Sequence, residues 1–138
     1  MQGINEAIEE QIPDSTIVSV QKGTDSAETM TLVENIVQAN PNVQLFICNL
    51  DEIVAADALQ SLGYDREDVC LIGATGSDDA MALVKQGSVL RGTLFTDIYT
   101  TGYNLGNALV QMLNGETPDE VKLISEMVTI DNVDQYID

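Results

Sequence analysis

Four short polar segments carry the residue types that could do chemistry in this chain. They are rich in Asn, Asp, Thr and Ser, they contain no aromatic residue, and they comprise residues 21–24, 49–51, 74–77 and 96–97. Amide, carboxylate and hydroxyl groups supply both donors and acceptors, so such a lining suits a neutral polyhydroxylated ligand. The same residue types are common in ordinary turns and helix N-caps, and that interpretation stays open at this point.

The hydrophobic pattern predicts the elements that would position these segments. Helices are expected at 3–11, 26–40, 51–62, 77–86 and 99–113, and strands at 16–20, 43–48, 69–73, 90–95 and 121–130. Strands that alternate with helices indicate βαβ units, hence an α/β fold with a parallel sheet flanked by helices. Ligands bind beyond the carboxyl ends of such strands, where the four polar segments fall. We expect one domain, 1–138, with a hinge and crossover segment at 96–120.

Composition excludes several classes of function. Among 138 residues there are 5 Lys and Arg against 23 Asp and Glu, a net charge of −18, and no His. This charge excludes an electrostatic grip on nucleic acid and disfavours an anionic membrane surface. Without His there is no Ser-His-Asp or Cys-His arrangement and no His-bearing zinc site. The composition therefore predicts a binding protein rather than an enzyme.

A glycine-containing loop and two acidic pairs resemble binding motifs but are better explained as the starts of helices. Residues 73–76, Gly-Ala-Thr-Gly, hint at a phosphate loop, but they lack both common glycine spacings, and Asp78 and Asp79 would repel an anion. The acidic pairs at 51–52 and 78–79 lack the spacing of a calcium loop and are typical of first helical turns. We therefore predict no metal and no phosphate site.

Cys48 and Cys70 each lie in an apolar run, so we expect two small buried side chains, and a disulfide is possible but not required. No apolar run is long enough to span a membrane. The first ten residues lack the pattern of a signal peptide.

Five segments follow one another in an order that carries a family resemblance. They are QGINEAIEE at 2–10, NPNVQLFICNLDEIVAADALQSLGY at 40–64, DVCLIGATGSDDAMALVKQGSVLRGTL at 68–94, TGYNLGNALVQMLNGE at 101–116 and VTIDNVDQY at 128–136. Together they resemble the C-terminal lobe of periplasmic sugar-binding proteins of the ribose and galactose type, which feed ABC importers. The resemblance implies a sugar or similar small polar ligand, an ABC permease as partner, an extracytoplasmic location and no cofactor.

The resemblance also implies which residues bind the ligand. Asn49 and Asp51 occupy the place of two sugar-binding residues that are usually adjacent, but Leu50 separates them here, so we expect one of them to face the crevice. Thr75 stands where the family usually has a ligand Asp, and Thr96 stands where it has a hinge Gln. The position of a sugar-binding Arg falls before Met1.

In the resembling family the lobe has five strands in the order 2-1-3-4-5, and strand 1 precedes the helix that begins here at Gln2. We therefore expect this chain to be a fragment, or to assemble with a second copy, with its last strand or a neighbour's strand filling the gap. The helix at 99–113 would pack on the other lobe through Tyr103, Ala108, Leu109 and Met112. A lone lobe offers half of the ligand contacts, so we expect the chain alone to bind sugar weakly.

Two alternatives come from other classes of protein. Lactose-repressor-type transcriptional regulators share this fold, and an upstream helix-turn-helix would identify one. A receiver module needs an acidic pair after its first strand, whereas residues 21–23 here are Gln-Lys-Gly, so that alternative is disfavoured.

Overall fold

The computed structural model describes residues 2–118 and 120–137. The helices in these ranges are α1 (Gln2–Gln11), α2 (Ser26–Ala39), α3 (Glu52–Ser61), α4 (Asp78–Lys85) and α5 (Ile98–Leu113), followed by a short 3-10 helix at Val133–Gln135. The strands are β1 (Leu45–Cys48), β2 (Cys70–Gly73), β3 (Leu90–Thr96) and β4 (Ser125–Thr129). Strands and helices alternate from α2 to β4, which confirms the predicted α/β class.

The four strands form one sheet in the order β1-β2-β3-β4. The first three are parallel, with Cys48 opposite Gly73 and Gly73 opposite Thr93, so their carboxyl ends share one edge of the sheet. β4 runs antiparallel to β3, with Thr96 opposite Ser125. The mostly parallel sheet is therefore as predicted, with an antiparallel strand at one side.

The predicted strand at 16–20 is wrong. These residues lie outside the sheet, and Ile17, Val18 and Val20 are exposed. A strand needs a neighbour to accept its backbone hydrogen bonds, and within the described residues β1 pairs with β2 alone, leaving its other edge open. The idea that the last strand fills a gap beside β1 is also wrong, because β4 pairs at the opposite side of the sheet.

The core lies between the sheet and helices α2, α3 and α4. Its largest fully buried apolar side chains come from α3, α4 and the sheet and include Leu59, Leu71, Leu90, Val84 and Val128. By contrast, α1 and α5 bury no residue. Helices α2, α3 and α4 thus share a core with the sheet, whereas the long helix α5 contributes no buried side chain to it.

Polar side chains cap the starts of α2 and α4. Ser77 caps α4 by accepting a hydrogen bond from the Ala80 amide. At α2 the N-cap is Asp25, whose carboxylate accepts from the Glu28 amide, rather than Ser26. Among the described residues no helix has the length and apolarity needed to cross a bilayer.

The two cysteines are free and half-buried. Cys70 lies opposite Leu45, three residues from Cys48 on the same strand, a separation of about 10 Å along the strand. That exceeds the span of a disulfide. The two thiols therefore act as separate small side chains in this fold.

Candidate functional site

All four predicted ligand residues lie at the carboxyl ends of the parallel strands. Asn49 directly follows β1, Asp51 precedes α3, Thr75 follows β2, and Thr96 is the last residue of β3. The polar segment at 21–24 is different, because no strand of the sheet precedes it. The sheet thus gathers three of the four polar segments at one edge.

At the end of β1 the two predicted residues have different surroundings. Asp51 is half-buried, and its carboxylate accepts a hydrogen bond of 3.1 Å from the Thr29 hydroxyl of α2. It makes no side-chain cap to α3, although it occupies the N-cap position. Asn49 is exposed, as is Leu50 between them. Asp51 therefore ties α2 to the sheet, while Asn49 is the more accessible of the two.

The segment at 21–24 serves mainly to start α2. The Thr24 amide and hydroxyl both donate to the Glu28 carboxylate, at 2.8 and 2.7 Å. These hydrogen bonds, the side-chain one above all, lower the pKa of Glu28 below its ordinary value. The ordinary-turn interpretation fits this segment, and we leave it out of the candidate site.

Thr75 is held by a buried carboxylate. Its amide donates to Glu52 Oε1 at 2.9 Å, and its hydroxyl donates to the same oxygen. The Thr93 hydroxyl donates to Glu52 Oε1 at 3.0 Å and accepts from the Gly76 amide, also at 3.0 Å. The loop after β2 is thereby joined to both α3 and β3.

Sequence reasoning missed Glu52, which it treated as an ordinary first-turn acid. A signal was available, because Glu52 lies at helical spacing from Ala55, Ala56 and Leu59, the buried face of α3. A carboxylate on an apolar face needs buried donors. Here Thr75 and Thr93 supply them.

Thr96 and Asp97 lie where β3 passes into α5. The Thr96 hydroxyl is 2.9 Å from that of Ser125, which joins β3 to β4 at this point. Asp97 caps α5 by accepting from the Thr100 amide at 2.9 Å, and hydrogen bonds from Thr100 lower the pKa of Asp97. Asp119, within the predicted hinge segment 96–120, lies outside the described residues.

The candidate site carries acidic side chains and no basic ones in its three segments. The segments 49–51, 74–77 and 96–97 contain no Lys or Arg and two Asp. Burial raises the pKa of the neighbouring Cys48 thiol, so it stays protonated near neutral pH. Within the described ranges, no group of three or more acidic or Cys side chains could hold a metal ion. The arrangement can offer hydrogen bonds to a neutral ligand and would repel an anion.

A shallow depression beside α4 is lined by none of the four residues. It is lined by Asp78, Asp79, Ala82, Tyr136 and Ile137. It has two carboxylates and none of the four predicted ligand residues, so we do not include it in the candidate site.

Comparison with known proteins supports the resemblance. A family model described as a periplasmic binding protein domain matches residues 1–117. The chain is 30% identical over 138 residues to the D-apiose import binding protein of Actinobacillus succinogenes, covering 95% of this chain and 43% of that protein. It is 33% identical over 61 residues to the ribose import binding protein of Bacillus subtilis, covering 44% of this chain and 20% of the relative.

Solved structures agree with the fold. An ABC transporter solute binding protein from Bacillus halodurans with bound myo-inositol matches with a TM-score of 0.83 at 29% identity, covering 98% of this chain and 47% of that one. A periplasmic solute binding protein from Actinobacillus succinogenes with bound D-allose matches with a TM-score of 0.86 at 23% identity, covering 97% and 48%, and shows the fold alone.

The chain spans less than half the length of these relatives and neighbours. The match to the family model nevertheless covers most of the 138 residues, from α1 through α5. The chain belongs to the periplasmic binding protein domain family.

Proposed function

We propose that this chain forms one lobe of the solute-binding component of an ABC import system, and that its ligand is a small neutral polyhydroxylated molecule, a sugar or cyclitol. The observation that carries the proposal is the set of polar side chains at the carboxyl ends of three parallel strands: Asn49, Asp51, Thr75 and Thr96. Their lack of neighbouring cationic residues in the same segments disfavours an anionic ligand.

The relatives support this class of ligand. Two of them are named for the import of ribose and D-apiose, and one neighbouring structure holds myo-inositol. All three molecules are uncharged and carry several hydroxyl groups, each of which can donate and accept. Asn49 can do both, and Asp51 can accept. We propose binding rather than catalysis, since the sequence has no His and the four residues include no general base paired with a nucleophile.

The proposed mechanism is closure of two lobes around the ligand. In it, hydroxyl groups are hydrogen-bonded from both sides, and binding shifts an equilibrium between open and closed forms. Thr96 at the end of β3 and the connection after α5 would bend, since α5 buries no residue against the rest of this lobe. The closed form would be the one that the permease recognises. By similarity to import binding proteins, we propose an extracytoplasmic location.

For this mechanism, a second folded unit would have to pack against α5. Tyr99 is 84% exposed and Leu113 is 79% exposed, and Tyr103, Leu109 and Met112 are exposed as well. Burying such side chains stabilises a complex. We propose that another lobe of the same protein covers them, and that in the 138-residue chain alone a second copy does so. In such a swapped dimer, each copy would cover the exposed α5 side chains of the other.

The experiment that tests the function is calorimetric titration with ribose, D-apiose, D-allose, myo-inositol and an anionic control, gluconate. The 138-residue chain is titrated alone and as part of the longest natural polypeptide that contains it. We expect weak or undetectable binding by the chain alone and saturable binding of at least one neutral ligand by the longer protein. Binding of gluconate in preference to all of the neutral ligands, or binding of none of them by the longer protein, would overturn the proposal.

A further inference from the structure

Among the described residues, Glu52 is the one charged residue that is buried. It is 1% exposed and lies at the start of α3, on the face that also buries Ala55, Ala56 and Leu59. A Cβ at Gly73 would lie 2.6 Å from Glu52 Cγ, so Gly73 leaves room for this side chain to pass under the end of β2. The position of the carboxylate is therefore set by both α3 and β2.

All of the hydrogen bonds to this carboxylate converge on one oxygen. Glu52 Oε1 accepts from the Thr75 amide at 2.9 Å, from the Thr75 hydroxyl and from the Thr93 hydroxyl at 3.0 Å. Oε2 is buried and has no hydrogen-bond partner. A buried acceptor without a donor is destabilising, so this arrangement is poor for stability alone.

The hydrogen bond from the Thr75 hydroxyl to Glu52 determines whether Thr75 can donate to a ligand or only accept from it. A threonine hydroxyl has one hydrogen to donate and two lone pairs that accept. Because the hydrogen is donated to Glu52, the Thr75 oxygen can only accept from a ligand, with the lone pair that the Ser77 amide, 3.4 Å away, leaves free. Thr93 fixes the same loop from the other side, because it accepts from the Gly76 amide at 3.0 Å. The loop is thus fixed in a conformation in which Thr75 can serve a ligand as an acceptor but not as a donor.

We propose that Glu52 is a positioning residue that fixes the loop 74–77 and makes Thr75 an obligate hydrogen-bond acceptor for a ligand hydroxyl. The inference deepens the proposed function and rests on it for the ligand. The carboxylate does not touch the ligand. It acts through Thr75, and it gives a neutral side chain the acceptor role that a carboxylate would otherwise have.

The test compares Glu52→Met, Glu52→Gln and a control, Asp57→Asn, which removes the same charge from an exposed position of the same helix. Gln keeps a carbonyl oxygen that can accept from Thr75, whereas Met keeps the volume and loses the acceptor. For Glu52→Met we expect at least tenfold weaker binding of the best neutral ligand and a lower unfolding free energy, because Thr75 and Thr93 lose their acceptor. Glu52→Gln should restore affinity to within about threefold of the parent, and Asp57→Asn should match the parent.

A double substitution separates positioning from general structure. Thr75→Val removes the hydroxyl, and if Glu52 acts through Thr75, Glu52→Met with Thr75→Val should bind no more weakly than Thr75→Val alone. Additive losses of affinity in the double variant would overturn the inference.

A ligand-free measurement keeps the inference separate from the proposed function. Amide hydrogen exchange at Thr75 and Gly76 should accelerate in Glu52→Met and remain slow in Asp57→Asn, whether or not any sugar binds. Unchanged exchange in Glu52→Met, together with unchanged affinity, would overturn the role of Glu52 and leave the sugar-binding proposal intact. Accelerated exchange in a protein that binds none of the neutral ligands would uphold the positioning and refute the function.

Discussion

Glu52 at the start of α3 accepts hydrogen bonds from both the backbone and the hydroxyl of Thr75, 23 residues further along the chain. This contact joins the helix after β1 to the loop after β2 at the edge where ligands of open parallel sheets bind. It supplies hydrogen bonds to a fully buried carboxylate, whose other buried polar neighbour is Thr93. The residues that hold this edge together can be tested one at a time.

Asn49 and Asp51 should differ in their effect on ligand binding and stability. In the longer ligand-binding protein, Asn49→Ala should weaken the best neutral ligand about tenfold and leave stability unchanged, since Asn49 is exposed. Asp51→Ala should also destabilise the fold, because it removes the acceptor of the Thr29 hydroxyl. Calorimetry and urea unfolding of both variants check this. Equal loss of stability in the two variants would contradict the assignment.

The loop after β2 should not tolerate a side chain at Gly76. Gly76 has φ of +56°, and a Cβ there would lie 2.6 Å from Phe95 Cα and 2.7 Å from the Leu94 carbonyl oxygen. We expect Gly76→Ala to lower the unfolding free energy by about 1–3 kcal/mol. Gly102 in α5 is the matched control, since a Cβ there meets nothing within 4 Å. Gly102→Ala should be neutral or stabilise the helix by up to about 1 kcal/mol. The opposite order in urea unfolding would contradict the close approach of this loop to β3.

Leucines in the core and on α5 should behave differently. Leu59 is fully buried, so Leu59→Ala should cost about 2–5 kcal/mol in the 138-residue chain. Leu113→Ala should change the stability of the monomer by less than about 0.5 kcal/mol. Instead it should weaken self-association, measured by analytical ultracentrifugation. A large loss of monomer stability from Leu113→Ala would show that α5 already packs within the chain.

Self-association of the chain should strengthen with salt. Each copy carries a net charge of −18, so two copies repel one another at low ionic strength. Raising NaCl from about 0.02 M to 0.5 M screens this repulsion and should shift the sedimentation profile toward dimer. A monomer at all salt concentrations and at a protein concentration of about 0.1 mM would contradict the proposal that a second copy covers α5.

Acid should fray the start of α5 through Asp97. Hydrogen bonds from Thr100 lower the pKa of this carboxyl in the folded state. Its contribution is therefore present above the unfolded pKa, about 3.9, and is lost as the pH falls through the folded pKa. Protection of the Thr100 amide, measured by hydrogen exchange, should fall below about pH 4. Asp97→Asn keeps a capping side chain without this titration, so its protection should stay level with pH. The same acid loss in that variant would exclude Asp97 as the cause.

Local signals in the sequence predicted most of the elements. Gly63 and Gly87 follow α3 and α4 with φ of +88° and +74°, as expected for glycines that end helices. The apolar runs that contain β1, β2 and β3 were recognised because strands of parallel sheets are nearly continuous in hydrophobic residues, although Leu45 and Ile47 of β1 are exposed. This order of elements also predicted that the polar segments lie at the carboxyl ends of the strands.

Features that depend on distant partners could not be predicted in this way. Residues 16–20 have the composition of a strand, but strand formation needs a neighbour, and β1 offers its free edge to none of the described residues. The antiparallel direction of β4 follows from how the chain returns after α5, which no local pattern encodes. The role of Glu52 required knowing that the loop after β2 and the middle of β3 meet the first turn of α3.

The most direct test of the binding site is an NMR titration of the isotope-labelled longer protein with the neutral ligand that binds best. The account predicts that backbone amide signals at Asn49, Thr75, Gly76 and Thr96 shift with the same saturation curve that calorimetry gives. Signals at Ala82 and Ile137, which line the shallow depression, should move little by comparison. Saturable binding that leaves the signals at the ends of β1, β2 and β3 unmoved would contradict the central claim that this edge of the sheet binds the ligand.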